Sequence, residues 1–321
     1  MKTRQAEGLL AALIVARASS LLFSKLVMRG MGPFELMGLR FSLAFLIMLL
    51  VFRRRFRGMS RATLGRGFLL GAAFFAVMAA ELSGLRRTDS STTSFLENTA
   101  IVWVPLLEAG LNRRRPGGRT LLSACMTLGG VALLTLGRSG FRLGAGELLC
   151  LLAALLYAGA ILLTARLSRE DEPLTLGILQ IGFIGLFGWI AAALFETPTL
   201  PRDSVTWGAI GYLALVCSCF GFTLQPMAQR YVSAERAGLF CALNPLTAAL
   251  LGALFLGERL GLAGLLGAGL ILLGILVQRG NGRAGPESNK SQCRLKWSRV
   301  FLAGGPMRAK GLRRPFAHKN D

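Results

Sequence analysis

Apolar stretches of about twenty residues recur from the amino terminus to Gln278, and nearly every break between them is short and carries arginine. A helix needs ~20 mainly apolar residues to cross the hydrocarbon core of a bilayer. Roughly ten such segments are present, near 9–29, 34–52, 67–85, 92–111, 120–137, 146–164, 174–195, 206–227, 238–256 and 261–278. The chain is 53% hydrophobic with a mean hydropathy of +0.54, above the ~45–50% apolar usage of soluble domains. The prediction is an all-α polytopic membrane protein, which excludes a soluble enzyme.

A net charge of +21 on 321 residues invites a nucleic-acid reading, but the placement of the charges opposes it. Arg53, Arg54, Arg55 and Arg57 follow one apolar run, and Arg113, Arg114 and Arg115 follow another. Ten more Lys/Arg lie beyond Gly280, opposed only by Glu287 and Asp321. These are loop and tail charges of the kind that orient membrane helices. With the amino terminus in the cytoplasm, inside segments carry 27 Lys/Arg and outside loops 7; without the long tail the count is 16 against 7. Both termini are therefore expected in the cytoplasm, with 53–66 and 112–119 inside and 138–145 and 196–205 outside. The basic tail 280–321 is expected to be disordered and to lie outside the membrane fold.

Six cysteines fall mostly within apolar segments, where Cys acts as a small hydrophobe. Cys217-Ser218-Cys219 lacks the spacer of a zinc site, and the only histidine, His318, is in the tail. No metal, cofactor or disulfide is expected. Absence of a nucleophile–histidine pairing within the spans also argues against catalysis. Lys2 and Arg4 before Leu9–Ala16 imitate a signal peptide. The apolar pattern resumes through Leu21, Leu22, Phe23 and Val27, so the stretch reads as a first membrane helix containing Arg17.

Compared with itself at an offset of 144, the chain places Arg86 on Arg230, Gly130 on Gly274, and the loop after Arg113 on Gly257-Glu258-Arg259. Five helices per unit is an odd number, so the second copy must be inverted relative to the first. Inverted repeats are a transporter architecture with the site near the midplane between halves. The expected units are 1–137 and 145–279. Gly67 with Gly71, and Gly261, Gly264 and Gly267, have the spacing that lets membrane helices approach closely.

The run Phe95-Leu96-Glu97-Asn98-Thr99-Ala100-Ile101-Val102-Trp103-Val104-Pro105, ending in Arg113-Arg114-Arg115-Pro116, resembles the fourth helix of EamA-type members of the drug/metabolite transporter superfamily. Gln229-Arg230-Tyr231-Val232-Ser233 leading to Leu243-Asn244-Pro245 and Leu256-Gly257-Glu258-Arg259-Leu260 fits the same pattern, as do Lys25 and Arg40-Phe41. The resemblance implies ten helices in two inverted five-helix repeats and transport of small metabolites, often outward. The chain departs from the family where Arg17-Ala18 replaces a frequent Trp-Gly, and where Asn244 stands for a frequent Glu before Pro245.

Ionisable groups at membrane depth cost ~2.5–3.5 kcal/mol on insertion scales and tend to face a cavity or a partner. Arg17 and Arg40 lie near the centres of spans one and two, and Glu81 and Glu97 in the outer halves of spans three and four. A guanidinium does not lose its proton in a protein, so these arginines are expected to pair with Glu81 or Glu97. The pairing reads either as a cavity where a substrate anion competes for arginine, or as a structural lock. Pro105 and Pro245 are expected kinks or gates, with Asn244 beside the second. Trp103, Tyr157, Gln180 and Gln225 are candidate cavity linings.

The expected function is a secondary carrier of small organic metabolites such as amino acids or organic anions, working by alternating access as an exporter or exchanger. Its partners are a small-molecule substrate and the lipid bilayer, with no nucleic acid and with a homodimer left open. A bacterial inner membrane is the expected location. A non-transporting sensor or partner subunit, and a lipid flippase, remain alternatives. A lateral opening lined by Arg17 and Arg40 would favour the lipid reading, and a closed central cavity a soluble substrate.

Overall fold

The computed structural model describes residues 3–56, 59–88, 90–113, 116–135, 144–197, 199, 201, 203–247 and 262–279. The basic tail 280–321, the Gly257-Glu258-Arg259 turn and most of the 138–145 loop lie outside the described residues.

The described residues form ten helical segments, and no strand occurs among them. Six of them are long and apolar enough to cross a membrane. Segment α1 comprises Thr3–Arg17 and Ser20–Val27, α2 is Pro33–Phe52, and α3 is Arg61–Leu85. Segment α4 comprises Ser90–Asn98 and Ala100–Asn112, followed by α5 Gly118–Thr135, α6 Ala145–Glu170 and α7 Pro173–Phe195. Segment α8 runs through Ser204–Tyr212, Leu213–Phe222 and Thr223–Gln229; α9 begins with Ala234–Phe240 and α10 is Leu262–Arg279. Of the expected ninth span, residues after 247 lie outside the described part.

Local chemistry sets the helix starts. Proline stands at the first position of α2 and α7, where its missing N–H is no loss. Ser60 and Asp203 accept from the backbone N–H groups of Thr63 (3.0 Å) and Thr206 (2.7 Å), the usual service of an N-cap. Outward faces carry exposed leucines such as Leu46, Leu50, Leu148, Leu194 and Leu265, which suits a lipid surround in which only the backbone needs internal satisfaction.

Glycines let the helices meet. A Cβ at Gly188 would lie 2.6 Å from the Gly38 nitrogen, and one at Gly185 2.9 Å from that of Ser42, so α2 and α7 touch backbone to backbone. Gly67 and Gly71 face Leu179 and Phe183 of α7, as their spacing anticipates. A Cβ at Gly130 would come within 2.6 Å of the Gly267 carbonyl, joining α5 to α10.

The main helix pairs follow an exchange rule: replace a helix by the one five places along, and its principal partners persist. Pairs α2–α7, α4–α9 and α5–α10 map onto themselves. Pair α3–α6 maps onto α1–α8, α3–α7 onto α2–α8, and α4–α6 onto α1–α9, and all of these pack.

Polar contacts divide the joints into two rims. On one, Arg55 pairs with Glu172, Arg66 with Asp171 (3.1 Å), and Arg236 with Glu7 (2.8 Å), while Thr120 donates to Glu235. On the other, Lys25 donates to the Thr88 carbonyl (2.9 Å) and Thr88 to Glu147 (2.6 Å). There too the Glu196 carboxylate accepts from the backbone N–H groups of Phe34 (3.1 Å) and Glu35 (2.9 Å), closing the start of α2.

Candidate functional site: a buried arginine pair on one phenyl ring

Three of the segments that meet near mid-depth are irregular. In α1 the helix loosens at Ala18 and Ser19, directly after Arg17. In α8, Leu213–Phe222 winds in wide i→i+5 turns, a departure frequent at functional sites; the Thr223 hydroxyl closes on the Ser218 carbonyl five residues back (3.3 Å). This winding presents Ser218 and Phe222 to α1 and α2. In α4 the helix breaks at Thr99, whose hydroxyl caps the Leu96 carbonyl (2.6 Å).

Arg17 and Arg40 converge on Phe222. The Arg17 guanidinium carbon lies 3.9 Å from the ring centroid and that of Arg40 5.8 Å, while Arg40 also sits 4.7 Å from the Phe41 ring. The Phe222 ring is in turn held edge-on by Phe41 (5.3 Å) and Phe74 (5.8 Å). Arg17 donates Nη1 to the Gln225 side-chain carbonyl (3.1 Å). Arg40, wholly buried, donates Nε to Ser218 Oγ (2.9 Å) and Nη1 to Ser20 Oγ (3.3 Å). Arg17 Nε and Arg40 Nη2 are buried without an acceptor. The stem of Arg17 crosses Gly221, where a Cβ would meet its Cγ at 2.5 Å and its Cδ at 2.7 Å.

The expected ion pairs do not form. Among the described residues no carboxylate is within salt-bridge distance of either arginine. Glu81 and Glu97 are buried close enough to act on Arg17 electrostatically, without touching it. The partners the structure gives the arginines come from α8 instead: Gln225 and Phe222 for Arg17, Ser218 and Phe222 for Arg40.

An enclosed cavity of about 10 Å³ lies beside Arg17, lined by Leu10, Leu13, Ile14, Tyr157, Gln225 and Cys241, among others. That is room for about one water, so the cavity is too small for an organic solute in this conformation. The Tyr157 hydroxyl meets Cys241 Sγ at 3.8 Å on its wall. Gln180, also wholly buried, leaves both amide atoms unpartnered, as Asn98 and Asn244 leave their side-chain oxygens.

Of the residues singled out from sequence, Arg17, Tyr157 and Gln225 line this cavity, and Arg40 joins through Phe222. Trp103 stands apart, 38% exposed on the outer side of α4. Asn244 is half-buried on α9 and not in the cavity wall. Pro105 and Pro245 are buried, and the helix interruptions fall ahead of them, at Thr99 and at Cys241–Ala242. Proline frees the carbonyl four residues back; for Pro245 that is Cys241, whose oxygen accepts from the Asn244 N–H instead (3.0 Å). Sequence reasoning missed Ser20, Ser218 and Phe222; the only signal was a lone serine inside the apolar run of α8.

The profile of the EamA-like transporter family matches residues 6–136 and again residues 144–278. The chain belongs to the EamA-like transporter family. This family lies within the drug/metabolite transporter superfamily, in agreement with the resemblance read from sequence. The uncharacterized transporter YwfM of Bacillus subtilis (strain 168) is 28% identical over 179 residues, covering 53% of this chain and 58% of that protein. YetK, an uncharacterized transporter of the same organism, is 25% identical over 285 residues and 84% of each chain. An uncharacterized transporter of Archaeoglobus fulgidus is 26% identical over 262 residues, 78% of this chain and 89% of that one. One solved crystal structure superposes with a TM-score of 0.73 over 88% of this chain and 99% of the other, at 17% identity, a likeness of fold. This EamA-family chain is thus an integral multi-pass membrane transporter of a small-molecule substrate, not an enzyme.

Proposed function

We propose that this EamA-family transporter is a secondary carrier for small organic metabolites bearing an anionic group, such as amino acids or organic acids, bound between Arg17 and Arg40. One observation carries the reading: two buried guanidiniums share the Phe222 ring, have no carboxylate within ion-pair distance among the described residues, and leave Arg17 Nε and Arg40 Nη2 without acceptors. A hydrogen bond to a charged group is worth about 1.5–3 kcal/mol, so each orphaned N–H favours an anion in the opened site. Glu81 and Glu97 remain nearby as competitors for the same charge, with Tyr157 and Asn244 as candidate contacts and Pro105 and Pro245 as candidate hinges.

Alternating access between two inverted repeats, 1–137 and 145–279, is supported by the exchange rule in the helix packing and by the two successive family matches. The shut cavity fits an occluded state of such a cycle and favours a soluble substrate over a flipped lipid. The rims support the predicted grouping of the loops, since among the described residues those expected on one side meet one another, and the Lys/Arg asymmetry favours the cytoplasm for the amino-terminal rim. Residues 53–66 meet 164–173, and Glu7 meets Arg236. The amino-terminal rim then faces the cytoplasm of a bacterial inner membrane, in monomer or homodimer, with export or exchange as the direction.

The test is uptake into proteoliposomes of a panel of organic acids, amino acids, neutral solutes and organic cations. Anionic solutes should be moved by wild type and impaired by Arg40→Lys, because the planar fork is lost. Transport of organic cations alone would overturn the assignment.

A further inference from the structure

Beside the shut site lies a larger and separate groove, of about 240 Å³, at the rim that carries Glu7 and Arg236. It is lined by Arg4, Glu7, Gly8 and Ala11 of α1, by Arg236, Leu239 and Phe240 of α9, and by Ile275 of α10. The α1 residues sit at i, i+3, i+4 and i+7, one helix face. Leu10, Leu13, Ile14 and Arg17, which line the shut cavity, form the adjoining face at the same spacing. Helix α9 repeats the division, with Arg236, Leu239 and Phe240 on the groove and Ala237 and Cys241 on the cavity. The two helices thus form a shared wall.

The groove is amphipathic along its length. Arg4 and the Glu7–Arg236 pair (2.8 Å) supply a polar end with two cations against one acid. Ala11, Leu239, Phe240 and Ile275 supply an apolar body. A Cβ added at Gly8 meets nothing within 4 Å, so the floor is open. Glu7 is nearly buried (7% of its side chain exposed) and Arg236 partly so (21%), a setting where an ionic hydrogen bond counts for more than at a free surface.

We propose that this groove is a second binding site, for a small amphiphilic anion whose acidic head takes Arg4 and Arg236 and whose apolar part lies along Gly8, Ala11 and Phe240. Its size is below the ~300–1,000 Å³ of a drug-sized pocket, which fits a short acid such as octanoate or one end of an anionic lipid. In binding, the head displaces the Glu7 carboxylate from Arg236 and loosens the tie between α1 and α9, the wall shared with the buried site. The groove's geometry is independent of which solute the buried site carries.

The test uses the full chain, purified in a neutral maltoside detergent, and radiolabelled octanoate in a scintillation proximity assay, with folding followed by size-exclusion chromatography. Wild type should bind octanoate and ignore octanol. Arg236→Gln should weaken binding about tenfold and Glu7→Gln should strengthen it, because the resident acid is gone. Gly8→Leu should block it by filling the floor while leaving the charges in place. Stronger competition by short-chain phosphatidylglycerol than by unlabelled octanoate assigns the groove to a lipid headgroup, and the reverse to a free acid. Equal binding by wild type, Gly8→Leu and Arg236→Gln would overturn the proposal. So would loss of binding in Arg17→Gln with none in Arg236→Gln, which would place the acid in the buried site.

Discussion

Replacing Arg17 by methionine should separate function from stability. Among the described residues the buried guanidinium has a hydrogen bond to Gln225, the Phe222 ring at 3.9 Å, and no carboxylate within ion-pair distance. A desolvated cation over a ring gains about 2 kcal/mol and a charged hydrogen bond about 1.5–3 kcal/mol. Against these stands a desolvation penalty of several kcal/mol per buried ion. The terms nearly cancel, so Arg17→Met is expected to leave stability unchanged or raised while abolishing transport. Phe222→Leu removes the same ring and the edge-on packing of Phe41 and Phe74, each pair worth about 0.5–1.5 kcal/mol. It should cost about 3–5 kcal/mol. In the Phe222→Leu background the cation has lost its ring, so Arg17→Met should there stabilise by about 2 kcal/mol more than in wild type. Equilibrium unfolding by dodecyl sulfate in mixed micelles measures all four proteins of this cycle. A coupling within about 0.3 kcal/mol of zero would refute the claim that Phe222 holds Arg17.

Three further outcomes follow from the same geometry. Gly221→Ala should fold but displace Arg17, whose Cγ would lie 2.5 Å from the new methyl; a loss of about 1–2 kcal/mol and slowed transport are expected, read by unfolding and uptake. Gly188→Ala sets a methyl 2.6 Å from the Gly38 nitrogen, where backbone cannot yield, and should cost about 1–3 kcal/mol with the α2–α7 contact measurably opened by spin-label distances. The Asp203 carboxyl is held below its usual range by the hydroxyl and backbone N–H of Thr206, so its cap is present above the unfolded-state value and is lost as pH falls through the depressed folded one. The protection factors of amides at the start of α8, corrected for intrinsic exchange at each pH, should therefore fall at acid pH in wild type and be low throughout in Asp203→Ala.

Hydropathy alone made the helical segments legible because every lipid-crossing helix must be apolar for its whole length. The same uniformity hid which way each helix faces. Trp103 carries no mark in the sequence to show that it lies on the outer side of α4. Arg17 and Arg40 could be singled out because charge at membrane depth is costly. Their partners could not, since the sequence holds Glu81 and Glu97 at similar depth and does not show that α8 supplies Ser218, Phe222 and Gln225 to the arginines. The wide turns of Leu213–Phe222 arise in a run whose local pattern is that of any apolar helix, so Ser218 and Phe222 stayed unseen. The prolines showed that α4 and α9 would be irregular, though not that the interruptions would sit ahead of them, at Thr99 and Cys241–Ala242.

A transported anion bound between Arg17 and Arg40 must reach Arg17, and Cys241, on the wall of the cavity beside Arg17, is placed to report it. In proteoliposomes of a variant keeping Cys241 as its only cysteine, the rate of alkylation by a small maleimide should fall at least tenfold when a transported anion is present. The protection should vanish in Arg17→Gln. Alkylation of Cys241 that no transported anion slows would contradict the account.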